Sequence, residues 1–206
     1  MIPAIIPAAG RSQRMGQPKL ILEIDGVPLI TRAVRALKAG GAGPILVVTP
    51  PQEFPGVDVL RRHAETSGAT CLTLSEETLD MKATVLHGLR YLIAESSIPD
   101  AFLLAPGDCP DLSPVVIRQV IDLGLTHPSA LIVPTFAGKR GHPVLFPWRL
   151  VQAIGQLSAD EGLNSLVNAE MRLIEVEVND RGILIDLDTP QDYQRRIGPP
   201  SPNPFV

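Results

Sequence analysis

Short apolar segments alternate with longer segments of helical spacing along most of the chain. The apolar segments are rich in Ile, Val and Leu and predict strands at 2–7, 44–49, 70–75, 101–106, 130–136, 142–147, 173–178 and 183–187. Apolar residues recur at helical spacing in segments 28–41, 57–68, 81–96 and 113–127. Strands that alternate with helices in this way are typical of a mostly parallel sheet covered by helices. The pattern therefore predicts one α/β domain.

Two stretches depart from this alternation. Residues 130–147 contain two predicted strands around the turn AGKRGHP, which indicates a short antiparallel insertion in the sheet. The C-terminal stretch GPPSPNPFV has four prolines and can be neither a regular helix nor a central strand. We therefore expect a domain over residues 1–197 and a Pro-rich tail over residues 198–206.

Composition narrows the function classes. The longest apolar runs are about six residues, far short of the ~20 needed to span a bilayer, so we expect no membrane partner. The formal net charge of −4 argues against nucleic-acid binding, which usually needs a basic face. Two cysteines, Cys71 and Cys109, are too few for a disulfide framework. With no recognisable signal peptide, these features favour a cytoplasmic protein.

The stretch IIPAAGRSQRMGQPKL, residues 5–20, leads from a predicted strand into a glycine-containing basic loop. Backbone N–H groups in such a loop can face a phosphate. The loop matches neither the Walker A pattern nor the dinucleotide fingerprint. Its donors and cations suit a triphosphate, although a solvated basic turn is the alternative interpretation. They are Gly10, Arg11, Ser12, Arg14, Gly16 and Lys19.

Two acidic motifs follow predicted strands. In AFLLAPGDCPDL, Asp108 lies at the tip of an apolar strand, where a carboxylate is well placed to hold Mg²⁺. We interpret Asp111 as only a cap for the helix that begins near Ser113. In GILIDLDTPQDY, Asp186 and Asp188 alternate with apolar residues and point to one face, which again indicates a cation. Alternatively, Asp188 caps the following helix.

The turn GKRGHPVLF contributes Lys139, Arg140 and His142. A lone histidine is more often a structural hydrogen-bonding group than a base, so a role in lining an acceptor site is the better hypothesis for His142. Cys109 lies beside Asp108, but no histidine is linked to it in sequence, which argues against a thiol nucleophile.

The loop PAAGRSQRMGQPKL resembles the signature of nucleotidyltransferases, in particular the molybdenum cofactor cytidylyl- and guanylyltransferase group. LAPGDCPDL, GKRGHPVLF, DEGLNSLV and DLDTPQDY resemble later blocks of that group in the same order, so the resemblance covers residues 3 to 195. It implies a Rossmann-like nucleotide-diphospho-sugar transferase fold. It also implies transfer of a nucleoside monophosphate from an NTP to a phosphorylated acceptor, with release of pyrophosphate.

The resemblance also implies roles for individual residues. Arg14 and Lys19 would contact the triphosphate, and Asp108 and Asp188 would hold Mg²⁺. The nucleotide-binding set would be Ala8, Ala9, Gly10, Arg11, Ser12, Gly16 and Lys82, and the acceptor-binding set Arg140, Gly141 and His142.

One segment departs from the family pattern. Where members tend to have Gly-Met-Ser-Ser-Ser near the base and ribose, this chain has LDMKATV, with Asp80 and Lys82 in the altered positions. The form Ala8-Ala9-Gly10 resembles the cytidylyl side and favours CTP over GTP.

Three function hypotheses follow. The first is a Mg²⁺-dependent transferase acting on a molybdopterin-type cofactor, with a molybdoenzyme as a further partner. The second keeps the reaction but takes a sugar phosphate or other small phosphorylated alcohol as acceptor. The third is a non-catalytic nucleotide- or cofactor-binding accessory protein for an oxidoreductase; the combination of Asp108, Asp188 and Lys19 speaks against it.

Overall fold

The computed structural model describes residues 1–95 and 98–197. The strands within these ranges are β1 (Ala4–Pro7), β2 (Glu23–Ile24), β3 (Val27–Pro28), β4 (Ile45–Thr49), β5 (Thr70–Thr73), β6 (Ala101–Leu104), β7 (Leu131–Phe136), β8 (Lys139–Arg140), β9 (Val144–Pro147) and β10 (Leu173–Glu177). The α-helices are α1 (Leu29–Ala39), α2 (Val57–Thr66), α3 (Met81–Glu95), α4 (Pro114–Thr126), α5 (Val151–Gln156), α6 (Leu163–Ala169) and α7 (Pro190–Ile197). The predicted tail, 198–206, lies outside the described residues.

The main sheet has the strand order β10-β7-β9-β6-β1-β4-β5, with β8 paired to β7. Strand β1 lies in the interior of the sheet and pairs in parallel with β4 and β6. Strand β9 is antiparallel to both of its neighbours, β6 and β7. The predicted α/β class, the mostly parallel sheet and the short antiparallel insertion are thus confirmed.

The core forms two apolar layers, one on each face of the sheet. Neighbouring residues of β1 contribute to different layers: Ile6 packs with residues of α1 and α4, whereas Ile5 packs with residues of α3. This division follows from the two-residue period of a strand, which sends successive side chains to opposite faces. Helices on both faces explain why the strands are apolar without alternation, as at Ile45–Thr49, where every residue is buried.

The predicted strand at 183–187 is wrong. Residues Arg181–Leu184 form a short 3₁₀ helix and the chain then continues without a strand partner. Its backbone bonds go to loops instead: His142 N donates to Ile183 O, and Leu187 N donates to Asp108 O. Gly182 allows the close approach, because a Cβ there would lie 2.6 Å from the Asp111 carbonyl oxygen. The hairpin β2–β3 and helices α5 and α6 are further elements that the apolar pattern did not predict.

No helix within residues 1–95 and 98–197 combines the length and the apolar character needed to cross a lipid bilayer.

Candidate active site

A cleft of about 1200 Å³ opens where β1 and β6 end. Such a position, beyond the carboxyl ends of parallel strands, is where open α/β sheets bind ligands. Three segments supply most of the wall: the loop after β1, the loop before α3, and the loop after β6. The segment after β4, which carries Glu53, and the residues His142, Asp186 and Asp188 supply the rest.

The loop after β1 is compact. Ser12 has a φ of 48° and Gly16 a φ of 67°, and the N–H groups of Met15 and Gly16 both donate to the Ser12 carbonyl. The Ser12 hydroxyl accepts from the N–H of Lys19 at 3.1 Å. Met15, in the same loop, is buried. These contacts hold Lys19 at the base of the cleft while Arg14 stays exposed above it.

Lys19 joins the two acidic motifs that the sequence singles out. Its ammonium group donates to Asp108 Oδ2 at 2.5 Å and to Asp188 Oδ1 at 2.9 Å. Arg14 contacts the other oxygen of Asp188 at 2.9 Å. The Lys19 and Asp108 side chains are only 15% and 18% exposed, so the pairing is shielded from bulk water. Lys19 and Asp188, which are 169 positions apart in sequence, thus meet at one point.

These contacts shift the pKa values of Lys19 and Asp188. Burial acts to lower the pKa of Lys19, but Asp108 and Asp188 outweigh it and raise that pKa above 10.5. The hydrogen bond from Lys19 is the main reason that the pKa of Asp188 lies below 3.8. Lys19 and Asp188 therefore both carry full charges near neutral pH.

Asp188 is not the cap of α7. Thr189 and Asp192 cap that helix reciprocally: Thr189 N donates to Asp192 Oδ2 at 2.9 Å, and Asp192 N donates to Thr189 Oγ1 at 3.2 Å. Because this capping box satisfies the helix start, the Asp188 carboxylate is free to face Lys19. The alternative interpretation of Asp188 as a cap is therefore wrong.

Asp111 also has a different role from the one expected. Its Oδ1 accepts from Arg196 at 2.6 Å and lies 3.7 Å from the guanidinium of Arg32. Ser113 occupies the N-cap position of α4, without a side-chain cap bond. Asp111 therefore ties the loop after β6 to α1 and α7, and the prediction that it only caps α4 is wrong.

The cleft wall is acidic overall. Among the described residues, its cationic side chains are Arg11, Arg14 and Lys19. Its carboxylates are Glu53, Glu76, Glu77, Asp80, Asp108, Asp186 and Asp188. Seven carboxylates against three cationic side chains leave the wall net negative. A negative wall repels a triphosphate, which is itself an anion.

Asp108 and Asp188 are the residues that could hold a divalent cation. No group of three or more His, Cys, Asp or Glu side chains within 1–95 and 98–197 is arranged to hold a metal by itself. The two carboxylates nevertheless converge on one point, and Mg²⁺ typically takes one or two carboxylates together with phosphate oxygens and water. The donor set therefore fits an ion that arrives with a nucleotide.

The expected acceptor-binding residues separate in the structure. His142 lines the cleft, and burial is the main cause that lowers the pKa of its ring below 6.5, so the ring is neutral at pH 7. Arg140 is not part of the cleft wall; it pairs with Glu175 at 2.6 Å and contacts Asn168 at 2.8 Å. Gly141 packs under the Ile183 carbonyl, which a Cβ would approach to 2.4 Å.

The expected nucleotide-binding residues also divide. Ala8, Ala9, Gly10, Arg11 and Ser12 all line the cleft. Gly16 lines a neighbouring cavity of about 330 Å³ behind the loop. Lys82 is 9% exposed and its ammonium group binds backbone carbonyls of residues 157–161, so it does not face the cleft.

Two further findings concern side chains near the cleft. Glu77 binds Arg11 across the cleft mouth. No sequence motif marks Glu77 as a site residue; the nearest signal in the sequence is the departure from the family pattern at 80–83. Cys109 is buried, and its burial raises the pKa of the thiol well above 9.0. A thiol in that state is a poor nucleophile, which agrees with the expectation from the sequence.

Comparison with known proteins adds to this geometry. A family described as the MobA-like NTP transferase domain matches residues 4–175. The molybdenum cofactor cytidylyltransferase of Escherichia coli (strain K12) is 29% identical over 194 residues, which cover 93% of each chain. The 2-C-methyl-D-erythritol 4-phosphate cytidylyltransferase of Chlorobium phaeovibrioides is 25% identical over 203 residues, covering 94% of this chain and 72% of that protein.

The fold has solved counterparts. The structure of a nucleotidyl transferase from Methanothermobacter thermautotroptrophicus superposes with a TM-score of 0.77 at 25% identity and covers 95% of both chains. This agreement confirms the nucleotidyltransferase fold that the motifs implied.

Proposed function

We propose, because the chain belongs to the family of MobA-like NTP transferase domains and is a nucleotidyl-transferring enzyme, that it transfers cytidine monophosphate from CTP to a molybdopterin-type cofactor. Pyrophosphate would be the second product, and Mg²⁺ the metal. The observation that carries the proposal is the convergence of Lys19, Asp108 and Asp188 in the cleft after β1.

The charge of the cleft supports a metal requirement. Seven carboxylates would repel a triphosphate that carries no metal ion. The three cationic side chains of the wall are too few to offset the negative charge of the carboxylates and of the triphosphate together. Asp108 and Asp188 would hold Mg²⁺, which when bound would neutralise phosphate charge and polarise the phosphoryl group. The ordinary preference of this ion for carboxylate and phosphate oxygens matches the donors available here.

The residues of the chain have separate tasks in such a reaction. A phosphate oxygen of the acceptor attacks the α-phosphorus in line, and the bond from that phosphorus to the α–β bridging oxygen breaks. No protein nucleophile is needed, so the work is alignment and neutralisation of charge. Lys19 and Arg14 supply preorganised positive charge for the pyrophosphate that leaves. His142, held neutral, lines the wall and offers a hydrogen-bonding ring to the acceptor.

The choice of CTP rests on the Ala8-Ala9-Gly10 form of the loop, and the E. coli relative, a molybdenum cofactor cytidylyltransferase, supports it. The choice of acceptor rests on that relative together with the similarity of the later motifs. A second candidate keeps CTP and takes a sugar-alcohol phosphate. The C. phaeovibrioides relative, which is a 2-C-methyl-D-erythritol 4-phosphate cytidylyltransferase, favours it.

Pyrophosphate release tests the proposal. CTP, GTP, ATP and UTP are supplied separately with Mg²⁺, each with molybdopterin-type cofactor, with a panel of sugar phosphates, or with no acceptor. We expect release that requires both CTP and the molybdopterin-type acceptor, measured by a coupled pyrophosphate assay. Release with CTP and a sugar phosphate only would favour the second candidate. No release with any pair, although a nucleotide binds, would instead support an accessory binding protein.

A further inference from the structure

Lys82 occupies an unusual position for a buried lysine. It lies in the first turn of α3, where the unpaired N–H groups make the helix end positive and a cation is unfavourable. It is also 9% exposed, so little water remains to solvate its charge. Burial of an ammonium group without compensating partners strongly destabilises a folded protein. The structure must therefore supply partners for it.

The partners are three backbone carbonyls from one loop. The Lys82 ammonium donates to Ser158 O at 2.5 Å, to Glu161 O at 3.0 Å and to Leu157 O at 3.4 Å. An ammonium group has three N–H donors, so these acceptors satisfy it completely. The carbonyls belong to the turn between α5 and α6.

The side chains of the turn hold its shape around the lysine. Glu161 accepts from both the N–H and the hydroxyl of Ser158, at 3.0 Å and 2.7 Å. Asp160 also accepts from the Ser158 hydroxyl, at 2.8 Å. The turn thus carries two carboxylates close to the buried cation, and the cation contributes to keeping the pKa of each below its usual value, after the hydrogen bonds from Ser158.

The other end of this arrangement is the rim of the cleft. Asp80, Met81 and Thr84 flank Lys82 in sequence and line the cleft. Asp80 Oδ1 accepts from the N–H of Ala83 at 2.7 Å, and the hydroxyls of Thr84 and Thr78 lie 2.6 Å apart. The first turn of α3 is therefore bonded to the loop that carries Glu77, the partner of Arg11.

We infer that Lys82 is a positioning residue for nucleotide binding. Its ammonium group fixes the start of α3 against the loop at 157–161. The start of α3 in turn fixes residues 77–84, which form the rim of the cleft. Lys82 acts through the rim and touches no substrate. This inference rests on the proposed function in one respect, since the cleft must bind a nucleotide for the rim to matter.

The test compares Lys82→Met with Lys82→Arg. Methionine keeps a similar length but removes the ammonium donor from three backbone carbonyls of the 157–161 turn, whereas arginine restores the donors and the charge. We expect Lys82→Met to raise KM and Kd for the nucleotide about tenfold, with kcat changed less than about twofold, because uniform binding is lost and not transition-state binding. Lys82→Arg should recover most of the affinity. Arg90→Met, an exposed change on the same helix, is the control for lost charge.

Equilibrium binding of Mg·CTP separates the failure of this inference from that of the proposed function. If the wild-type protein binds none of the four nucleotides, the proposed function fails and takes the inference with it. If the wild type binds a nucleotide and Lys82→Met binds it equally tightly, only the inference is overturned. A loss of kcat near that of a Lys19 variant also overturns it, because Lys82 would then touch the reacting groups.

A second variant avoids any change in α3. Glu161→Ala removes the side chain that shapes the turn, and Glu161 does not line the cleft. We expect a several-fold rise in nucleotide Kd, and amide hydrogen exchange that is faster in both 157–161 and 77–84. The double variant with Lys82→Met should weaken binding less than additively, because both changes break one chain of contacts. Unchanged exchange at 77–84 in both single variants would rule out the connection.

Discussion

At the scale of single residues, Lys19 stands where two substrates and an ion would meet. Its ammonium group lies between the two carboxylates, which would otherwise repel each other, and Arg14 adds a second positive charge beside Asp188. In the proposed reaction, a nucleotide with its metal would compete with Asp108 and Asp188 for this lysine. The same contact both stabilises the free site and sets the cost of opening it.

Removal of Lys19 tests both roles. Lys19→Ala should lower turnover by roughly 10²–10³, the usual cost of a lost preorganised charge. It also leaves Asp108 and Asp188 converging with only the exposed Arg14 beside Asp188, so Mg²⁺ alone should raise the melting temperature of Lys19→Ala more than that of the wild type, measured by differential scanning fluorimetry.

Adding Asp108→Asn to Lys19→Ala is the control, because it removes one of the two carboxylates and should remove the extra shift. Equal Mg²⁺ shifts in Lys19→Ala and the wild type would contradict the assignment of Asp108 and Asp188 as the metal-binding pair. Near-normal turnover in Lys19→Ala would contradict its role on the triphosphate.

Sequence could identify Lys19, Asp108 and Asp188 because each follows a strand or belongs to a dense motif. It could not place Lys82 or Arg140. Lys82 binds the turn at 157–161, which lies 75 or more positions away in sequence, and Arg140 binds Glu175, 35 positions away. Such contacts depend on how distant elements pack, and no local pattern encodes them.

At the scale of elements, the start of α7 decides where Asp188 points. The capping box of Thr189 and Asp192 satisfies the first N–H groups of the helix, and the hydroxyl of Thr189 also donates to Asp192 at 2.6 Å. Tyr193, one turn in, donates to the Glu23 carbonyl at 2.7 Å and fastens the helix to the β2–β3 hairpin. The element thus anchors the carboxylate that precedes it.

Thr189→Ala should therefore affect stability and catalysis together. Loss of an N-cap costs about 1 kcal/mol, which urea denaturation measures as a lower midpoint. Freed from its cap, the helix start would hold Asp188 less firmly, and turnover should fall several-fold. Gln191→Ala, an exposed change in the same helix, is the control and should leave both quantities near the wild-type values. A stability loss with full turnover would show that the cap does not position Asp188.

The segment at 183–187 shows the limit of reading elements from sequence. Its apolar run, followed by the alternation of Ile185 and Leu187 with aspartates, is typical of a strand, but its backbone groups bind the loops that carry His142 and Asp108. Tertiary contacts override local strand preference here. The alternation still has its expected effect, because Leu187 is buried while Asp186 and Asp188 both face the cleft.

At the scale of the whole molecule, charge is unevenly spread. The chain carries a formal charge of −4, and the cleft wall alone has four more carboxylates than cationic side chains among its described residues. The cleft therefore presents an anionic field to the anionic nucleotide that we propose it binds, and a divalent cation would offset half of that excess of negative charge.

Metal removal should accordingly weaken nucleotide binding. We expect the Kd for CTP, measured by isothermal titration calorimetry, to rise at least about tenfold when EDTA replaces Mg²⁺. Restoring Mg²⁺ in excess over the chelator should return the affinity, which controls for any other effect of EDTA. Equal affinity in both conditions would show that Lys19 and the two arginines overcome the acidic wall unaided.

The class of the whole fold could be predicted because any sheet covered by helices on both faces has apolar strands that alternate with helices along the sequence. The strand order could not be, since β9 pairs between β6 and β7 through contacts that no local pattern specifies. The family resemblance supplied what periodicity did not, namely the nucleotidyltransferase architecture.

The order of strands separates the supports of the two binding regions that we propose. Strands β1, β4 and β5, from the first 73 residues, support the loop proposed for the nucleotide, while β7, β9 and β10, from residues 131–177, support the wall that bears His142. In the proposed reaction, recognition of the nucleotide would then reside in the first part of the chain and recognition of the acceptor in a later part. Mutations in the later part would change the acceptor while the nucleotide stays the same, so one ancestral scaffold would be able to diversify its acceptors.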